Sequence, residues 1–193
     1  MGTRGAYGFH KNGIDKITYN HYDSYPTGLG DDIKKFISNH SIDDINKIFN
    51  KIKMVKQNSK PTKKQVESCK KYANVNVSKG TVEDWYCLLR EAQGNLEAYA
   101  DDLAYMIDGG AFLKESLFCE WGYVINLDTN VLEIYRGFQT KPQLNRYFSN
   151  EHTDNIGEYY NCALVKEVPL GQVKDFDMEQ FEQDISKQED END

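Results

Sequence analysis

Asn12-Gly13 restricts the fold of this chain more than any other pair of residues. Both residues take up the positive φ angles of a tight two-residue turn, and apolar positions alternate on either side, Tyr7 and Phe9 before it and Ile17 and Tyr19 after it. The stretch "AYGFHKNGIDKITYNHY" therefore reads as a β-hairpin. A lone hairpin is marginal in water, so another part of the chain must cover its apolar face.

A second hairpin is written in "EWGYVINLDTNVLEIYRGF", which alternates through Trp121, Tyr123 and Ile125, turns at Asp128-Thr129-Asn130 and returns through Val131 to Phe138. Between the hairpins the apolar period lengthens to that of a helix. Ile42, Ile45, Ile48, Phe49, Ile52 and Val55 recur behind a cap formed by Ser41 and Asp44. "DSYPTGLGDD" breaks the first hairpin and places Asp31 or Asp32 to cap a helix through "IKKFISNH". "KKQVESCKKYA" reads as a short helix, and "TVEDWYCLLREA" as another that starts at Thr81 or Asp84 and stops at Gly94. "NLEAYADDLAYMID" continues helically to Gly109-Gly110. Last come a strand in "YYNCALVKEVPL", ended by Pro169, and an acidic helix in "DMEQFEQDISKQ". The expected fold is α+β: one antiparallel sheet built from the N- and C-terminal hairpins, with the helical middle segment packed on it. Residues 1–187 make a single domain, and 188–193 an acidic disordered tail.

The formal net charge of −8 argues against a generic nucleic-acid binder, whose affinity rests on neutralising phosphates. Charge is nonetheless polarised. Between residues 51 and 80 lysines face only Glu67, whereas beyond residue 174 acids face only Lys187. Such blocks can pair within the chain, pair between copies in self-association, or offer a basic face to an acidic partner. The basic block holds no arginine, which sequence-specific recognition of nucleic acid would call for. Cys69, Cys87, Cys119 and Cys162 lie too far apart for a zinc signature or a small disulfide framework. The chain has no signal-peptide core and no long apolar run, so a cytoplasmic protein with no membrane contact, no metal and no cofactor is expected.

One polar cluster stands out, in "TYNHYDSYPTGLGDD" at the exit of the first hairpin. Tyr19, Asn20, His21, Asp23 and Tyr25 offer a general base, a carboxylate, and amide and phenol groups within seven residues. The stretch reads as a strand exit and helix cap first and as a binding site second, because Asp and Ser before Pro are also ordinary turn chemistry. Arg4 and Arg136, one on each hairpin, could share an anion pocket if the hairpins are neighbours.

"MGTRGAYGF" followed by "TYNHYDSYPTGLG" resembles a group of small bacterial and bacteriophage proteins, and "FCEWGYVINLDTNVLEIYRGF" is similar to their second hairpin. The resemblance covers the two hairpins. It implies an accessory protein encoded by a phage or prophage and carries over no activity and no catalytic residue.

Two readings of function stay open. In the first, the chain is a non-enzymatic binding protein that engages a host protein or a small anionic ligand such as a nucleotide signal, through Arg4, Tyr19, Asn20, His21, Asp23, Tyr25 and Arg136. In the alternative it is a small hydrolase, with His21 as base, Asp23 orienting it, and Ser24 or Cys119 as nucleophile.

Overall fold

The computed structural model describes residues 2–152 and 157–190. Both hairpins form where the sequence puts them. β1 (Gly5–Lys11) turns at Asn12 and Gly13, with φ angles of 51° and 71°, and returns as β2 (Ile14–Asn20). α1 (Asp31–Asn39) and α2 (Ile42–Lys51) follow, and Ser41 caps α2 by accepting the Asp44 amide. Next come β3 (Lys53–Val55), α3 (Lys63–Cys69), α4 (Trp85–Leu88), α5 (Glu97–Asp101) and β4 (Tyr105–Ile107). The second hairpin is β5 (Trp121–Asn126) and β6 (Val131–Arg136), and the chain ends with β7 (Ala163–Pro169) and α6 (Met178–Asp190).

The fold is α+β, with a five-stranded, mostly antiparallel sheet in the order β2-β1-β5-β6-β7. The hairpins do meet, but through β1 and β5, which run parallel from the Gly5–Trp121 pair to the His10–Asn126 pair. The sheet expected from the two hairpins is thus present, antiparallel except at this junction. Each hairpin fixes the relative direction of its own two strands, whereas the long connection from β2 to β5 leaves their mutual direction to packing.

β1 and β5 are central and buried on both faces. Tyr7, Phe9, Tyr123, Ile125, Leu132 and Ile134 point into the main core beneath the helices, where Ile33, Phe36, Ile45 and Phe49 meet them. Ala6, Ile17, Val124 and Tyr135 point the other way, into a smaller core closed by Leu113, Cys119, Tyr147 and Cys162. The alternation of period two thus feeds two cores.

Two helical expectations change. Residues 105–107 form β4 where the sequence reads as helix, and residues 53–55 form β3 rather than the end of the α2 stripe. They pair in parallel in a small second sheet, with the Lys53 amide donating to Ala104 O and the Asp108 amide to Val55 O. The Gly109 amide donates to Ile17 O at the free edge of β2. Strand pairing wins over local helical preference here because it satisfies backbone groups that would otherwise be left open. The helix expected from Thr81 and Asp84 begins at Trp85, with Asp84 in the N-cap position, and lasts one turn. Thr81 Oγ1 instead accepts the Glu83 amide in a local turn. α6 extends to Asp190, into the segment expected as tail, and residues 191–193 lie outside those described. Among the described residues no helix is long and apolar enough to cross a membrane.

Candidate functional site

β2 ends at Asn20, and the chain then turns sharply. Asp23 adopts φ 50°, a conformation that Asp tolerates better than most residues, and its carbonyl accepts the Leu29 amide. Pro26 starts a widened, π-type turn over residues 26–30 that closes with the Gly30 amide to Tyr25 O bond and runs directly into α1. Gly28 is required there, because a Cβ would sit 2.2 Å from Asp23 O. Asp31 and Asp32 therefore occupy the first turn of α1, where carboxylates favour the helix dipole, and Gly30 holds the capping position expected for one of them.

This turn forms one wall of a cleft of about 570 Å³, within the size range of small-molecule sites. Asn20, Tyr22, Asp23, Tyr25, Gly28, Leu29 and Asp32 line that wall. The facing wall comes from far along the chain: Asn74, Val77, Arg90, Glu91, Gln93, Gly94 and Asn95. Tyr7, at the centre of the sheet, holds the facing wall in place. Its hydroxyl donates to Ala92 O at 3.3 Å and accepts the Gly94 amide at 2.8 Å. On the near wall, the buried Ser24 donates its amide to Thr3 O and accepts Asn20 Nδ2 on its Oγ. Tyr123 donates to Ser24 O.

Charge in the cleft is predominantly negative. Asp23, Asp32 and Glu91 face one guanidinium, that of Arg90. Arg90 is already engaged, stacked over the rings of Tyr22 and Tyr86 and bonded to Gln93. The Asp23 charge is the main cause that raises the pKa of Tyr25, which also hydrogen-bonds that carboxylate.

Of the residues expected to form a site, the structure brings Asn20, Asp23 and Tyr25 together in the cleft. Tyr19 and His21 lie on an adjoining ridge, with the Tyr19 hydroxyl 2.6 Å from His21 Nδ1 and the His21 ring packed on Tyr22. Burial lowers the pKa of His21, and the charges of Arg90 and Arg4 lower it further, which favours the uncharged ring near neutral pH. Arg4 and Arg136 sit elsewhere, at Glu120. The Arg4 amide donates to Glu120 Oε1 and Arg136 donates to Glu120 O, while their guanidinium groups stack on Phe118 and on Trp121 and Phe138.

The hydrolase components are not assembled. His21 bonds Tyr19, Ser24 is fully buried with Asn20 on its hydroxyl, and Cys119 is fully buried with its thiol pushed well up by burial. Among the described residues no group of acids, histidines and cysteines could hold a metal ion.

The facing wall escaped the sequence reading because it has no periodic signal. Only the helix stop at Gly94, with φ 78°, and the scarcity of arginine hinted at it. No protein-family model, no curated protein and no solved structure matches this chain.

Proposed function

We propose that the chain is a binding protein whose ligand is a small polar molecule held in the cleft between the β2 exit and residues 74–95. The observation that carries this reading is the wall itself. Asn20, Asp23 and Tyr25 stand in a roomy cleft opposite a wall rich in amides, and both walls are anchored to the sheet by buried hydrogen bonds. Tyrosine and amide side chains on a rigid support are suited to recognition, since they bring contact area and hydrogen bonds at small entropic cost. A bacteriophage or prophage accessory role remains compatible with this reading, as does engagement of a host protein through the same face.

The test is mass spectrometry of small molecules released by heat from protein that has been incubated with a cell extract and desalted. A stoichiometric compound is expected from the native protein, and it should be lost when Tyr25→Ala and Asn95→Ala are combined. Leu144→Ala, at an exposed position remote in sequence from both walls, should retain it. A native protein that carries nothing, or a compound retained equally by the cleft variant, would overturn the assignment.

A further inference from the structure

The buried side chain of Asn20 shows what chemistry the cleft would accept. Asn20 is 6% exposed, and its Nδ2 donates to Tyr22 O and to Ser24 Oγ at 2.9 Å. A backbone carbonyl can only accept, so the nitrogen must point at Tyr22 and the orientation of the amide is fixed. The oxygen faces Gly94, on the other wall, 3.0 Å from where a Cβ would stand. Among the described residues no donor reaches it. Fully enclosed side-chain N and O atoms there all have partners, so this oxygen is an open one, and it opens where Asn20 lines the cleft. It is an acceptor on a side chain otherwise buried, with its orientation fixed and its oxygen reachable from the cleft.

The surroundings specify which donor. Asp23 and Asp32 on one wall and Glu91 on the other set three carboxylates against one guanidinium, which is held against Tyr22, Tyr86 and Gln93. The lining therefore carries a net negative charge, which disfavours an anionic ligand. A primary ammonium group carries three donors, no acceptor and a positive charge, which suits a carboxamide oxygen in a cleft also lined by carboxylates and tyrosines.

We propose that the cleft recognises a small aliphatic primary amine, with Asn20 Oδ1 accepting from its ammonium group and Asp23 and Glu91 supplying the opposing charge. This rests on the cleft being the binding site and names its ligand class. It replaces the small anionic ligand expected from the sequence with the opposite charge.

The probe is putrescine, titrated into isotopically labelled protein and followed by amide NMR shifts. Three comparisons are made alongside: the fully N-methylated form of putrescine, which keeps both charges and has no N–H; adenosine monophosphate; and the variants Asp23→Asn and Glu91→Gln. Both variants alter exposed side chains, and Asn tolerates the positive φ at position 23, so the fold survives. Putrescine should shift the amides of Asp23, Gly94 and Asn95, and each variant should weaken it about two- to fivefold. The methylated form should bind more weakly than putrescine. Equal binding of the methylated form, unchanged affinity in both variants, or shifts confined to α6 would overturn the proposal. If adenosine monophosphate shifts the cleft amides and putrescine does not, the amine class fails while the cleft stands as the site. If neither probe shifts them, the amine class again fails, and the released-ligand experiment decides the cleft separately.

Discussion

Gly28 shows how much of the cleft depends on a single missing side chain. The turn that carries Tyr25 and Leu29 folds back until Asp23 O lies where a Cβ at position 28 would be. Gly28→Ala forces backbone apart from backbone and should cost about 1–3 kcal/mol, read as a lower urea midpoint with an unchanged slope. The sequence showed Pro26, Gly28 and Gly30 as chain breakers, and that much was legible because turn residues act through their own φ angles. It did not show that Asp23 adopts a left-handed conformation to meet Gly28. That depends on the backbone on both sides of the turn.

The turn is held from outside by another element. α6 packs Phe181 on Trp121, and Glu182 accepts both the amide and the hydroxyl of Thr27, at 2.9 and 2.8 Å. Lys34 on α1 donates to Phe176 O at 2.6 Å, which ties α1 to the segment just ahead of α6. Glu182→Ala should speed hydrogen exchange at the Thr27 amide several-fold, with a stability loss of about 1 kcal/mol or less, because both groups are near the surface. Exchange at Thr27 that stays at the native rate would show that α6 does not hold the wall. α6 itself was visible in the sequence as an acidic amphipathic stretch, but its docking site was not. A helix pattern says which face is apolar and leaves open which surface that face meets.

Across the whole molecule, the second face of the sheet is covered by Leu113, Cys119, Tyr147 and Cys162, and Arg146, beside Tyr147, ties that cover to a buried carboxylate of the sheet. Glu133 on β6 takes both guanidinium nitrogens of Arg146, and Asn126 and Tyr135 each donate to it at 2.8 Å. Burial pushes the Glu133 carboxyl up, but these hydrogen bonds and the Arg146 charge outweigh it and hold the pKa below the ordinary glutamate range. A carboxyl lowered in the folded state stabilises the fold fully above its unfolded pKa, near 4.3, and that contribution fades as pH falls through the folded value. The urea midpoint should therefore fall below about pH 4.3 in the native protein, and the part of that fall due to Glu133 should vanish in Glu133→Gln. Arg146→Ala leaves the carboxylate with two neutral donors and should cost about 3 kcal/mol at neutral pH, somewhat less if water reaches the vacated, partly exposed site.

The sequence by itself determined the two hairpins, the Ser41 cap, the β7 strand and the final helix. Each of these is set by torsions and side chains a few residues apart, as at Asn12-Gly13, where the turn selects its own φ angles. Only the tertiary structure decided that β1 and β5 run parallel, that residues 105–107 become a strand, and that the wall containing Arg90 and Gly94 faces Asn20. The Gly94 amide reaches Tyr7 across 87 residues of chain. Contacts that distant form when two apolar surfaces and their open backbone groups fit one another, a condition on both partners that neither segment expresses alone.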